Sequence, residues 1–338
     1  MSLGKRLINT GGGGGLSGYA FATSETNNSI VAIDVSDPTN LTIVDTLVDG
    51  TNLIDAYSLS LDKENQVAYV VAKGSSALTS INCSDPTNLS FLDTVTTNAN
   101  QIFGDLDPVN NVVATFSFSS IVKLVDVSDP SNLSTVGTIS GVTEVAGTEG
   151  GIIDSSNQIL YVAAFASDRI SSYDISNPAS PVLLNSLNSA NLDEIKGIAI
   201  DSINQVAYCA TSDGHFTSVN ISNPSSLVEL NSYYSTSVLN GASLVNLDLD
   251  NQIAYVVSSF SDSICAFDIS NPSNITILGF IQGLNGAAGL DLDLTNQIAY
   301  VGCFAANAVY SVDISNPASM SILSGVGGIG RCWSVKLG

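Results

Sequence analysis

Asp34-Val-Ser-Asp-Pro38 is the first of seven versions of one pentapeptide. It returns as Asn82-Cys-Ser-Asp-Pro86, Asp126-Val-Ser-Asp-Pro130, Asp174-Ile-Ser-Asn-Pro178, Asn220-Ile-Ser-Asn-Pro224, Asp268-Ile-Ser-Asn-Pro272 and Asp313-Ile-Ser-Asn-Pro317. The prolines stand 44 to 48 residues apart, and a period of that length marks an array or ring of one supersecondary unit. A second marker follows each pentapeptide by about 30 residues: Asn65-Gln-Val-Ala-Tyr-Val70, Asn157-Gln-Ile-Leu-Tyr-Val162, Asn204-Gln-Val-Ala-Tyr-Cys209, Asn251-Gln-Ile-Ala-Tyr-Val256 and Asn296-Gln-Ile-Ala-Tyr-Val301. The third repeat carries a degraded copy, Asn110-Asn-Val-Val-Ala-Thr-Phe116.

Between the markers, apolar and polar residues alternate with the period of a strand. The last full repeat divides into four strands, 285–293, 298–303, 308–314 and 320–326. Asp and Asn supply Asx turns between them, and Pro, which cannot donate to a ladder, breaks the sheet. No stretch has the 3.6-residue period and caps of a helix. Four antiparallel strands per period, seven times over, predict an all-β, seven-bladed β-propeller. The ends agree. Before Asp34 there is room only for strands at 18–23 and 30–35, and Cys332-Trp-Ser-Val-Lys-Leu337 alternates like the missing inner strand. Blade 1 is therefore expected to be closed by the C-terminal strand in a 1+3 arrangement that hides the open ends of the ring. The expected organisation is a Gly-rich arm over 1–15 and a single propeller over 16–338.

The 338 residues are 44% hydrophobic and 12% charged, a globular composition. Thirty-one Asp and Glu against nine Lys and Arg leave a net charge of −22, which repels nucleic acid and anionic lipid. No apolar run is long enough to span a bilayer, so no membrane insertion is expected, and the start lacks the apolar core of a classical signal peptide. Five scattered cysteines without CxxC spacing read as buried thiols. The single histidine, His215 in Asp213-Gly-His215, reads as an exposed turn residue, since no GxSxG elbow marks a nucleophile for it.

Stretches such as Lys123-Leu-Val-Asp-Val-Ser-Asp-Pro130 and Ile30-Val-Ala-Ile-Asp-Val-Ser-Asp-Pro38 resemble the LVIVD repeat of bacterial, mostly surface-associated propellers, and the resemblance covers residues 16–338. It implies the propeller fold and no single activity. The opening 2–11 is similar to the starts of marine phage proteins.

Residues that hold a blade together must recur, whereas residues that touch a ligand need not, so function is sought where the repeats differ. Phe118, Phe165 and Phe304 occupy matched positions after the second strand, Phe260 one residue later, and Lys73, Ser212 and Thr23 fill the ring elsewhere. With Arg331 and Trp333 near the closure, this aromatic ring suits stacking on sugars or docking a partner chain. Two residues before the turn Asp, the inner strands carry Ser60, Asp105, Ile152, Ala199, Asn246, Asp291 and Lys336. Asp105, Asp291, Glu149 and Glu194 are the acids that a channel-bound Ca²⁺, the one cofactor considered, would use.

The expectation is a non-catalytic propeller, with no catalytic residue, serving recognition or assembly on a virion or cell exterior. It would bind a protein or glycan receptor through Phe118, Phe165, Phe260, Phe304, Trp333 and Arg331. Residues 1–15 would be an attachment arm for a protein partner. The alternatives are a Ca²⁺-dependent hydrolase or lyase of the lactonase-like propeller type, and a purely structural self-assembling subunit.

Overall fold

The computed structural model describes residues 15–338. The attachment arm expected at 1–15 therefore lies, all but its last residue, outside the described residues. The described chain forms seven four-stranded antiparallel sheets. In the first, Val335–Leu337 pairs with Tyr19–Ser24, in the register Ala20 to Leu337 and Ala22 to Val335. Gly338 N–H donates to the Tyr19 carbonyl at 2.9 Å beyond the strand's end. The closing strand is shorter than the alternation of 332–337 predicts. The described residues also contain three single-turn 3-10 helices, Thr143–Val145, Phe165–Ser167 and Ala190–Leu192.

Apolar residues gather in seven clusters, each drawn from two consecutive blades. Each blade is thus stabilised only by its neighbours, as in other repeat folds. The Tyr of the second marker is central to this. Tyr69, Tyr161, Tyr208, Tyr255 and Tyr300 are at most 1% exposed, and burying each contributes on the order of 2 kcal/mol. Three of them also cross to the next blade, Tyr69 to the Val127 carbonyl at 3.3 Å, Tyr208 to Ile269 at 3.4 Å and Tyr300 to Val35 at 3.3 Å. A third-strand serine bonds the pentapeptide proline carbonyl of the following blade: Ser80 to Pro130, Ser172 to Pro224 and Ser218 to Pro272 at 2.6 Å, and Ser311 to Pro38 at 2.5 Å. The last of these joins blade 7 to blade 1. The repeat recurs because it is the adhesive between blades.

The turn chemistry is equally local. Asp34 accepts from the N–H and hydroxyl of Ser36, and Asn82 and Asn220 accept from the N–H groups of Ser84 and Ser222 in the same place. A turn acceptor needs no charge, which is why Asn substitutes for Asp there.

Candidate active site

All six unbroken inner strands begin with the same irregularity. Pairing with the second strand slips by one residue, leaving Tyr57, Ile102, Glu149, Lys196, Ser243 and Ala288 as the extra residue of a β-bulge. A bulge re-aims its extra side chain, and all six line the same mouth of the central channel. Trp333, two residues before the closing strand, completes the ring. The cavity they surround holds about 460 Å³, a size typical of small-molecule sites.

One side of the ring is charged. Glu149 and Lys196 are bulge residues of adjacent blades, and Lys196 Nζ lies 3.2 Å from Glu149 Oε2. Glycine makes that approach available: a methyl at Gly150 would run into the Lys196 carbonyl, and one at Gly197 would sit 2.7 Å from the Ser243 carbonyl. Burial raises the Glu149 carboxyl above its ordinary value, and the Lys196 ammonium pulls it only part of the way back. Among the described residues, Glu149 is the one carboxylate lining the cavity. Beside the pair, the Ser243 hydroxyl is buried without a hydrogen-bond partner, as is that of Ser58 in the opposite wall.

The other side is a stack. Tyr57 and Phe304 cover the two faces of Trp333, with centroids 4.6 and 4.1 Å away and planes within 16°. Lys73 caps the Tyr57 end at 5.5 Å, Arg331 the Phe304 end at 5.9 Å. Glu25 anchors the middle, accepting from Trp333 Nε1 at 2.6 Å and lying 3.5 Å from Arg331. Burial, with the nearby Glu25 and Glu149 charges, raises the Tyr57 pKa, so its phenol stays protonated.

The expected aromatic ring is therefore in one place, but its members differ in role. Phe118 and Phe260 stand 48% and 66% exposed on the rim, and Phe165 packs against Phe118 at 5.9 Å and under Lys196 at 5.3 Å. Docking onto the Trp333 ring is corrected, because both its faces are covered within the fold. Thr23 is corrected too: it is wholly buried, donating to the Tyr57 carbonyl, and Glu25 holds the rim position in blade 1.

No three of Asp105, Asp291, Glu149 and Glu194 come together in one cluster. Among the described residues no three acidic, His or Cys side chains converge as metal ligands. Asp105 accepts from the Ile153 N–H of the next blade at 2.8 Å, and Asp291 from the Leu337 N–H at 2.8 Å and from Asn246 Nδ2 at 3.1 Å. These carboxylates tie inner strands together. Burial pushes Asp105 up to about 6, against the pull of the Ile153 N–H and the Lys336 ammonium. Glu194 does not line the cavity at all. His215, expected in an exposed turn, instead opens a strand, with Nδ1 2.9 Å from Asp213 and its ring 4.5 Å from that of Tyr234. All five cysteines are buried and unpaired, and among the described residues no helix is long and apolar enough to cross a membrane.

The bulge ring was missed in the sequence because a bulge breaks the two-residue alternation at the one position that matters. Its signal is the residue five before the turn Asp, different in every blade.

The family described as LVIVD repeat matches residues 17–48, 122–140, 160–189, 205–235, 254–281 and 291–326. No curated protein matches the sequence. Among solved structures, a protein assigned as a 6-phosphogluconolactonase from Bacteroides uniformis is similar with a TM-score of 0.81 and 12% identity, covering 95% of this chain and 99% of its own. One so assigned from Bacteroides fragilis has a TM-score of 0.81 at 11% identity, covering 95% and 97%. The periplasmic gluconolactonase of Pseudomonas aeruginosa has a TM-score of 0.79 at 11% identity, covering 94% and 98%. Such likeness is one of fold. It nevertheless corrects the expectation of a non-catalytic chain, because this propeller is shared with proteins named as lactonases. Nothing in these matches bears on a virion.

Proposed function

The chain belongs to the LVIVD repeat family, and we propose that this member is a hydrolase that opens cyclic esters of sugar acids in the bulge-ring cavity. The observation that carries the proposal is the Glu149–Lys196 pair, a half-buried carboxylate and ammonium 3.2 Å apart in the wall of a 460 Å³ cavity. The names of the structural neighbours support the same reaction class.

The chemistry follows from the side chains. A carboxylate raised by burial is a better base than a solvated one. Glu149 takes a proton from a water molecule as the water oxygen attacks the ester carbonyl. Negative charge then develops on the carbonyl oxygen, and the Lys196 ammonium is the cation placed to stabilise it. As the ring C–O bond breaks, Glu149 returns the proton to the departing alkoxide, and the product is a hydroxy acid. The Tyr57 phenol and the unpartnered Ser58 and Ser243 hydroxyls remain for the substrate's own hydroxyls. In this reading Phe118 and Phe260 form the rim past which the substrate enters.

The test is an initial-rate assay of aldonolactone opening, corrected for the spontaneous reaction. The wild type accelerates the reaction, and Lys196→Met lowers kcat by about 100-fold, more than it changes KM, as loss of an oxyanion donor does. A wild type that opens no lactone above the spontaneous rate overturns the proposal.

A further inference from the structure

The chain carries few cations, and they are not spread evenly. Seven Lys and Arg fall among the described residues, and four of them, Lys73, Lys196, Arg331 and Lys336, lie at the cavity, on its aromatic stack or in the channel below it. Against a net charge of −22, that placement offsets Glu25, Glu149, Asp105 and Asp291 and leaves the mouth close to neutral within a repelling field, and low-dielectric walls focus the field of any cation left unpaired there. Two of the four are paired, Lys196 with Glu149 and Arg331 with Glu25. Lys336 and Lys73 have no carboxylate within 4 Å among the described residues and act on Asp105 and Glu149 from farther away. Lys73 differs from Lys336 in lining the cavity itself, its ammonium over the Tyr57 ring with Asn100 and the orphaned Ser58 hydroxyl in the same wall.

The position of Lys73 is built rather than incidental. It directly follows the second strand of blade 2, Val67–Ala72, and its N–H donates to the Asp55 carbonyl at 3.0 Å. In other blades the corresponding place holds Phe118, Phe165 or Phe304, and in blade 1 Glu25. An ammonium at the edge of a cavity, with no carboxylate in direct contact with it, is a site for an anion.

We propose that Lys73 binds an anionic substituent, a carboxylate or a phosphate, on a sugar-like ligand whose reacting ring lies against Glu149 and Lys196. This rests on the hydrolase reading for the ring, but the anion site itself does not depend on turnover. The aromatic stack beside Lys73 supplies a direct readout. Trp333 is the only tryptophan in the chain, and it is stacked on Tyr57, over which Lys73 sits.

The experiment titrates the intact protein with a sugar acid, a sugar phosphate and the neutral parent sugar while following tryptophan fluorescence, in wild type, Lys73→Met and Lys73→Arg. Methionine keeps the stem over Tyr57 and removes the charge. The wild type gives a saturable change with at least one of the anions, and which one separates carboxylate from phosphate. Lys73→Met weakens that binding by about tenfold or more, as loss of a hydrogen bond to a charged group does. Lys73→Arg recovers most of it, and added salt weakens the wild type far more than Lys73→Met. Anion binding of equal strength in Lys73→Met, or a neutral sugar that binds as well as either anion, overturns the proposal, as does the absence of any saturable change. Because no lactone is opened in this measurement, failure of the hydrolase reading leaves its outcome intact, and the reverse also holds.

Discussion

The two ends of each inner strand are built on opposite principles. At the turn end, Asp62, Asp107, Asp154, Asp201, Asp248 and Asp293 are the same residue making the same bond, each accepting from the side-chain amide of the Asn three positions on. At the bulge end, seven blades present Trp333, Tyr57, Ile102, Glu149, Lys196, Ser243 and Ala288 to one cavity, and no two are alike. A ring of seven near-identical wedges thus carries an asymmetric pocket. The turn end keeps the register of each sheet; the bulge end is free to vary because its side chains line the cavity and are not bound to one repeated contact.

The largest effect should come from joining the two ends. Gly150 adjoins the bulge residue of the strand that ends at Asp154, so Gly150→Ala presses a methyl into the Lys196 carbonyl. It should cost about 3 kcal/mol of stability and also separate Glu149 from Lys196. Denaturant unfolding and lactone opening should therefore both suffer, and a variant that loses only one would break the coupling.

Asp154→Ala should act at the turn end alone. It removes the acceptor for the Ser156 N–H, the Asn157 N–H and the Asn157 amide, which should cost about 1–2 kcal/mol. Lactone opening should stay within about twofold of wild type when measured well below the melting temperature.

Protonation separates the channel from the turns by sign. Asp105, held at about 6 by burial, binds its proton more tightly folded than unfolded, where an aspartate titrates near 3.9. Unfolding free energy from this group therefore rises as pH falls from about 7 toward 5, and Asp105→Asn should flatten that rise in denaturant melts. The exposed turn carboxylates Asp34, Asp174, Asp268 and Asp313 are held below the ordinary range by hydrogen bonds from the serine two residues on. Their contribution has the opposite sense and is lost as pH falls below about 4. The smallest effect belongs to calcium: since the channel acids bond backbone and lysine, exchanging Ca²⁺ for chelator should move the melting temperature by less than about 1 °C, and a shift of several degrees would show a bound ion.

This division also explains which parts of the molecule are legible in its sequence. The markers were legible because Tyr69 and Ser80 perform in blade 2 what Tyr300 and Ser311 perform in blade 7, so the same chemistry is spelled repeatedly. The closure was legible because 332–337 alternates without a partner of its own. The site was legible only in part. Its rim aromatics recur often enough to be noticed, but Tyr57, Lys196 and Ser243 sit at a bulge, where strict alternation assigns them no special direction. Variation two residues before the turn Asp drew attention instead, and there Asp105 and Asp291 proved to be fastenings between blades. Blade 1 slipped by two residues, from Glu25 to Thr23, because it lacks the Asn-Gln marker that sets the register elsewhere.

The central claim, that the bulge ring holds the chemistry while the rest of each strand holds the fold, is tested most directly by measuring lactone opening and thermal melting together for wild type and Glu149→Gln. The account predicts a rate at least about 100-fold lower, as loss of a general base gives, with a melting temperature within about 2 °C of wild type. Opening at the wild-type rate in Glu149→Gln would contradict it.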